Sequence, residues 1–122
     1  MKSLLLVAHG SRRAESNEEI RQLTSRVAAM AAEDFELIDC AFLELAEPLI
    51  PDGIQHLVQQ GATSVLVLPY FLAKGAHVAS DIPEQVDQAK ANNPDIAITT
   101  SQYFGASEAV PELLVKLATS SG

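Results

Sequence analysis

Four short runs of apolar residues, each followed by a longer amphipathic stretch, leave few folds open to this chain. Ser3 to Ala8, Phe35 to Leu43, Ser64 to Phe71 and Ile96 to Gln102 read as strands, and the stretches between them carry apolar residues at helical spacing. The third run, SVLVLPYF, reads as a fully buried strand with Pro69 marking a lost ladder donor or a bulge near its end. Strands that read as continuous apolar runs are buried on both faces, and parallel strands need helical crossovers. The chain is therefore expected to be an α/β domain: a four-stranded, mainly parallel sheet with helices on both faces. At 122 residues, with no low-complexity linker or internal repeat, residues 1–122 are expected to form a single domain.

The helices are placed by their end signals. Ala14 to Glu33 reads as the first, with Ser16 and Glu19 spaced as a capping box and Ile20, Leu23, Val27, Met30 and Ala31 on one inward face. Pro48 suits the first turn of a second helix that carries Ile50, Ile54, Leu57 and Val58 inward and ends at Gly61. Leu72 to Ser80 reads as a loop. Asp81-Ile82-Pro83-Glu84 then resembles the cap and first turn of a third helix running to about Asn92, and Ser107 caps a last helix through about Leu117.

Composition removes several functions. The longest uncharged apolar stretch, Ser64 to Ala73, is half of what a membrane-spanning helix needs. Met1-Lys2-Ser3 runs straight into Leu4 to Ala8 and His9-Gly10 without a small-residue cleavage site, so no secretory leader is expected. A net charge of −8 and the absence of Trp disfavour a nucleic-acid partner. The lone cysteine, Cys40, excludes an internal disulfide and a zinc–cysteine cluster, points to a reducing cytoplasm, and is expected in the core.

Ligands of such sheets bind beyond the carboxyl ends of the strands, where strand order reverses. His9 follows the first strand, Glu44 the second, and His77 lies on the loop after the third. With strand order 2-1-3-4, neighbouring strands only ~4.8 Å apart would gather these three around one crevice. Two imidazoles on one edge suit borderline divalent metals as well as proton transfer near neutrality. Glu44 adds a carboxylate that can accept a proton or bind a metal, whereas Glu47, immediately before Pro48, reads as a helix-dipole group. Arg12, Arg13 and Lys74 flank the two histidine loops as a basic cluster for substrate carboxylates. His56, mid-helix, reads as surface. Neither a three-glycine dinucleotide fingerprint nor a Gly-x-Ser-x-Gly elbow is present.

The segments VAHGSRRAESN (7–17), FLELAEP (42–48) and LPYFLAKGAHVASDIPE (68–84), in this order, resemble the short CbiX-type sirohydrochlorin chelatases, a class II chelatase family. The resemblance implies ATP-independent insertion of Co²⁺ or Fe²⁺ into sirohydrochlorin, toward cobalamin or sirohaem, with no permanently bound cofactor. Nickel fits the same ligand types. It implies that His9 and His77 bind the metal, that His9 also accepts a proton, that Glu44 assists, and that Leu72, Ala73, Lys74, Gly75, Ala76 and His77 line the tetrapyrrole pocket. It also implies a homodimer with the cleft between subunits, since larger relatives carry two such halves. Relatives often have a basic residue where this chain has Ala76, so Lys74 and the arginines are left to hold the substrate carboxylates. Leu68, Tyr70, Phe71 and Leu72 are expected as an apolar floor beneath the macrocycle. Two other functions fit part of the pattern. A phosphocarrier of a sugar-uptake system would use His9 and leave His77 idle, and a nonenzymatic metal or tetrapyrrole carrier would use both histidines without turnover.

Overall fold

The computed structural model describes residues 1–121. Strands β1 (Lys2–Ala8), β2 (Leu37–Phe42), β3 (Ser64–Pro69) and β4 (Ala97–Thr100) alternate with helices α1 (Ala14–Met30), α2 (Ile50–Gln59), α3 (Ile82–Asn92) and α4 (Ala109–Ser121). The sheet is parallel throughout, with order β2-β1-β3-β4. Ala8 is level with Phe42 across one ladder and Val7 with Pro69 across the other, so β1, β2 and β3 end side by side.

Connections run in one direction from β1 to β2 and in the other from β2 through β3 to β4. Right-handed crossovers then send α1 to one face and α2 and α3 to the opposite face. The face under α2 and α3 holds the main core: Leu5, Val7, Ala41, Val65, Val67 and Ile98 from the sheet pack with Ile50, Ile54, Leu57, Ile82, Val86 and Ala89. The face under α1 is thinner, with Leu6, Ala8, Cys40 and Phe42 buried and Ile20, Leu23, Leu68 and Tyr70 partly so. Phe42 is its anchor, fully buried with the Arg21 guanidinium 5.3 Å from its ring centre.

Several sequence expectations are corrected by this packing. β3 is buried on alternate residues only, since α1 packs mainly on β2 and leaves Leu66 and Leu68 partly exposed. Helix α1 ends at Met30, which is 87% exposed and so drops out of the inward stripe. The capping box at Ser16 does not form. The helix begins earlier, at Ala14, and the Ser16 amide donates to the Arg13 carbonyl. Pro48 precedes α2, and Pro51 occupies its first turn instead. Glu47 makes no capping bond there, and the N-cap is Leu49. Ser107 does receive the Ala109 amide as expected, and α4 runs on to Ser121. None of the residues of α4 is buried, and Leu113, Leu114, Val115 and Leu117 face solvent.

Candidate metal centre

The three side chains picked out at the carboxyl edge come together. One donor atom from each of His9, Glu44 and His77 lies within 4.8 Å of the others, the only such group of three or more among the described residues. Glu44 Oε2 is 3.5 Å from His9 Nε2, and the two imidazole rings have centroids 4.6 Å apart. The side chains of His9 and Glu44 are each half exposed, so the centre opens to solvent.

Backbone bonds between the loops hold this geometry. The Ala8 carbonyl accepts from the Leu43 amide at 2.9 Å, and the His9 carbonyl accepts from the Glu44 amide at 3.1 Å, carrying the parallel pairing past the strand ends. Gly10 makes that approach feasible. Its φ is +94°, and a Cβ there would sit 1.8 Å from the Glu44 carbonyl oxygen. Beyond Glu44 the chain turns at Leu45, whose φ of +66° is a left-handed conformation that costs about 1–2 kcal/mol for a non-glycine residue. The Pro48 carbonyl then accepts the Phe42 amide, closing the excursion that carries Glu44 at its tip.

The loop after His9 is clamped from α1. The Asn17 side chain accepts the Ser11 amide at 2.9 Å and donates to the Ser11 carbonyl at 2.8 Å. His77 is positioned differently from the loop expected over Leu72 to Ser80. His77–Asp81 forms a single π-helical turn, with the Ile82 amide donating to the His77 carbonyl, and it leads directly into α3. Asp81 is therefore not a helix cap, since its backbone is already helical and its side chain makes no capping bond. Its Oδ2 instead lies 2.7 Å from His77 Nδ1.

The expected substrate residues are spread out. Arg12 and Arg13 are exposed on the His9 loop, with Arg13 paired to Glu15 at 3.3 Å. Ala73, Gly75 and Ala76 are exposed, as is Leu72 at 77%. Lys74 lines a groove of about 470 Å³ beside α3 and β4, shared with Val78, Lys90 and Tyr103. The apolar floor does not form as one surface: Leu68 and Tyr70 pack on the thin face, Phe71 on the main core, and Leu72 on neither. The Phe71 ring lies 6.4 Å from that of His9. Another groove of about 470 Å³ adjoins the centre on the acidic side, lined by Glu44, Asp81 and Glu84. His56 is exposed, as expected. Cys40 is buried, and desolvation pushes its thiol above its ordinary pKa, which keeps it from competing as a thiolate ligand.

Asn17 and Asp81 escaped the reading of the sequence. Asn17 could have been noticed as a polar residue in the inward stripe of α1, and Asp81 as a carboxylate four residues after a histidine at a helix start.

A doubly wound sheet that gathers two imidazoles and a carboxylate at its strand-order reversal defines an α/β domain whose donor types suit a borderline divalent cation. Comparison with known proteins narrows this class. The CbiX family model matches residues 3–121, and the chain belongs to that family. A sirohydrochlorin ferrochelatase of Priestia megaterium is 31% identical over 116 residues, which span 95% of this chain and 43% of that relative. A sirohydrochlorin cobaltochelatase of Methanocaldococcus jannaschii is 34% identical over 93 residues, 76% of this chain and 64% of the relative. The structure of SirB from Bacillus subtilis with Fe³⁺ superimposes with a TM-score of 0.88 at 30% identity, covering 99% of this chain and 47% of SirB. This chain thus spans between about two fifths and two thirds of the length of these relatives.

Proposed function

We propose that the protein inserts a divalent metal, Co²⁺ or Fe²⁺, into sirohydrochlorin without ATP. The observation that carries this reading is the convergence of His9, Glu44 and His77 donor atoms within 4.8 Å. The names of the relatives, which include both a ferrochelatase and a cobaltochelatase, support the reaction and both metals.

Insertion exchanges two pyrrole N–H protons for a dication. The centre must therefore hold the ion weakly enough to release it and must receive protons. Two neutral imidazoles and a carboxylate bind such an ion without the grip of thiolates. When the ion passes to the ring nitrogens, His9 is freed to take a proton, and Glu44 at 3.5 Å can take the next. Both side chains reach solvent, so the protons leave to water.

Charge decides how the macrocycle approaches. Sirohydrochlorin is a polycarboxylate, and the groove lined by Glu44, Asp81 and Glu84 repels it. It therefore comes over His9 and Phe71, from the side of Arg12 and Arg13, with the exposed segment Leu72 to Ala76 as its border. The acidic groove is left to the cation. A second copy of the chain completes the cleft, a reading supported by the SirB chain being about twice the length that this chain covers. A soluble cytoplasmic location is consistent with the absence, among the described residues, of a helix long and apolar enough to cross a membrane. The phosphocarrier and carrier-module readings have no counterpart among the relatives described above.

The test is to mix the protein with sirohydrochlorin and each metal and follow the macrocycle's absorbance. Metallation well above the spontaneous rate is expected, falling to background in His9→Ala and His77→Ala. A wild-type rate equal to background ends the enzyme reading. Sedimentation velocity is expected to show a dimer, and a monomer at all concentrations removes the second copy from the site.

A further inference from the structure

We propose that Asp81 is a positioning residue for the metal centre: by accepting the Nδ1 proton of His77 it fixes the tautomer and aims Nε2 at the ion. This deepens the reading of the centre as a divalent-metal site and rests on it.

Asp81 Oδ2 and His77 Nδ1 are 2.7 Å apart, shorter than the 3.5 Å contact between His9 and Glu44. A carboxylate can only accept, so a neutral His77 bonded to it carries its proton on Nδ1. Nε2 is left with its lone pair free, and this ring stands 4.6 Å from that of His9. Carboxylate partners of this kind set the orientation and basicity of ligating histidines.

The backbone explains why Asp81 can do this. The π-helical turn sets His77 and Asp81 four residues apart on one side of the chain, closed by the Ile82 amide on the His77 carbonyl. Ile82, the next residue, is 1% exposed in the main core, so Asp81 is anchored from below while its carboxylate stands at the surface. Asp81 is not used as a helix cap. It occupies the N-cap position of α3 with helical dihedrals (φ −71°, ψ −41°). Its carboxylate bonds the imidazole and makes no capping bond to the backbone.

The experiment has two parts. In metal-free protein, ¹⁵N NMR of the neutral histidines reads the tautomer directly. Wild type is expected to show His77 protonated on Nδ1, Asp81→Ala a mixture dominated by the Nε2–H form of free imidazole, and Asp81→Asn a partial return. In the second part Co²⁺ alone is titrated while its visible ligand-field bands are followed. Asp81→Ala is expected to weaken binding about 10- to 100-fold and change the band pattern, with Asp81→Asn intermediate. In a His77→Ala background, removing Asp81 is expected to cost nothing further.

The proposal fails if wild-type His77 carries its proton on Nε2, a result that needs no variant to fold. It fails equally if Asp81→Ala leaves affinity and bands unchanged, or if it costs the same with His77 absent. Wild-type protein that binds no Co²⁺ would instead overturn the metal-site reading, and the NMR result would still decide whether Asp81 sets the tautomer.

Discussion

The two faces of the sheet are unequal, and the candidate metal centre leans on the stronger one. Under α2 and α3 lies a continuous core of large aliphatic side chains, many of them without any exposure. Under α1 the buried apolar cluster is four residues including Phe42, and Leu66 and Leu68 are only partly covered. Of the three donor residues, Glu44 sits on the connection feeding α2, and His77 on the turn that becomes α3. Only His9 leads into the helix of the thin face. Two donors are thus fixed by helices whose inner residues cannot shift without opening cavities, while the third depends on Gly10 and the Asn17 clamp.

This inequality can be attacked from both sides. Ile54→Ala, in the middle of the main core, is expected to destabilise the protein by about 2–5 kcal/mol, measured by urea unfolding. A cost below about 1 kcal/mol would show that the face is looser than its packing suggests. Gly10→Ala is expected to cost about 1–3 kcal/mol through its left-handed backbone and its collision with the Glu44 carbonyl. It should also weaken Co²⁺ binding, because the clash drives the His9 and Glu44 loops apart. Retained affinity and stability together would mean that the two loops are not coupled. Leu68→Ala on the thin face, where the side chain is only partly covered, is expected to cost about 1 kcal/mol. Were it to equal Ile54→Ala, the contrast between the faces would disappear. Leu114→Gln on α4 is expected to change the monomer's stability by less than about 0.5 kcal/mol, since the side chain is 62% exposed. Smallest of all, the Cys40 thiol should react with iodoacetamide only slowly in native protein at pH 8 and rapidly in denaturant, because burial keeps it protonated and enclosed.

Much of this was legible in the sequence, for identifiable reasons. The apolar runs placed the strands, most clearly β1, which is buried along nearly its whole length, and strand order 2-1-3-4 then brought His9, Glu44 and His77 to one edge. What was misplaced depended on side chains finding partners distant in sequence or in unexpected geometry. Met30 matches the helical period yet projects past the end of the sheet's cover. Asp81 has the composition of a cap, but a π-helical turn carries the helix back to His77 and turns its carboxylate to an imidazole. Leu68, Tyr70, Phe71 and Leu72 are neighbours in sequence, but strand alternation and the bend after Pro69 send them to different surfaces. Gly10 was visible as a glycine after a histidine, whereas its contact with the Glu44 carbonyl belongs to tertiary structure alone.

Because every strand points the same way, Met1 and Thr63, joined by a hydrogen bond at the opposite rim, are separated from the imidazoles by the whole length of β1. Seven residues of strand amount to roughly 20 Å. A fluorophore, purification handle or surface tether attached at Met1 therefore leaves the working edge unobstructed.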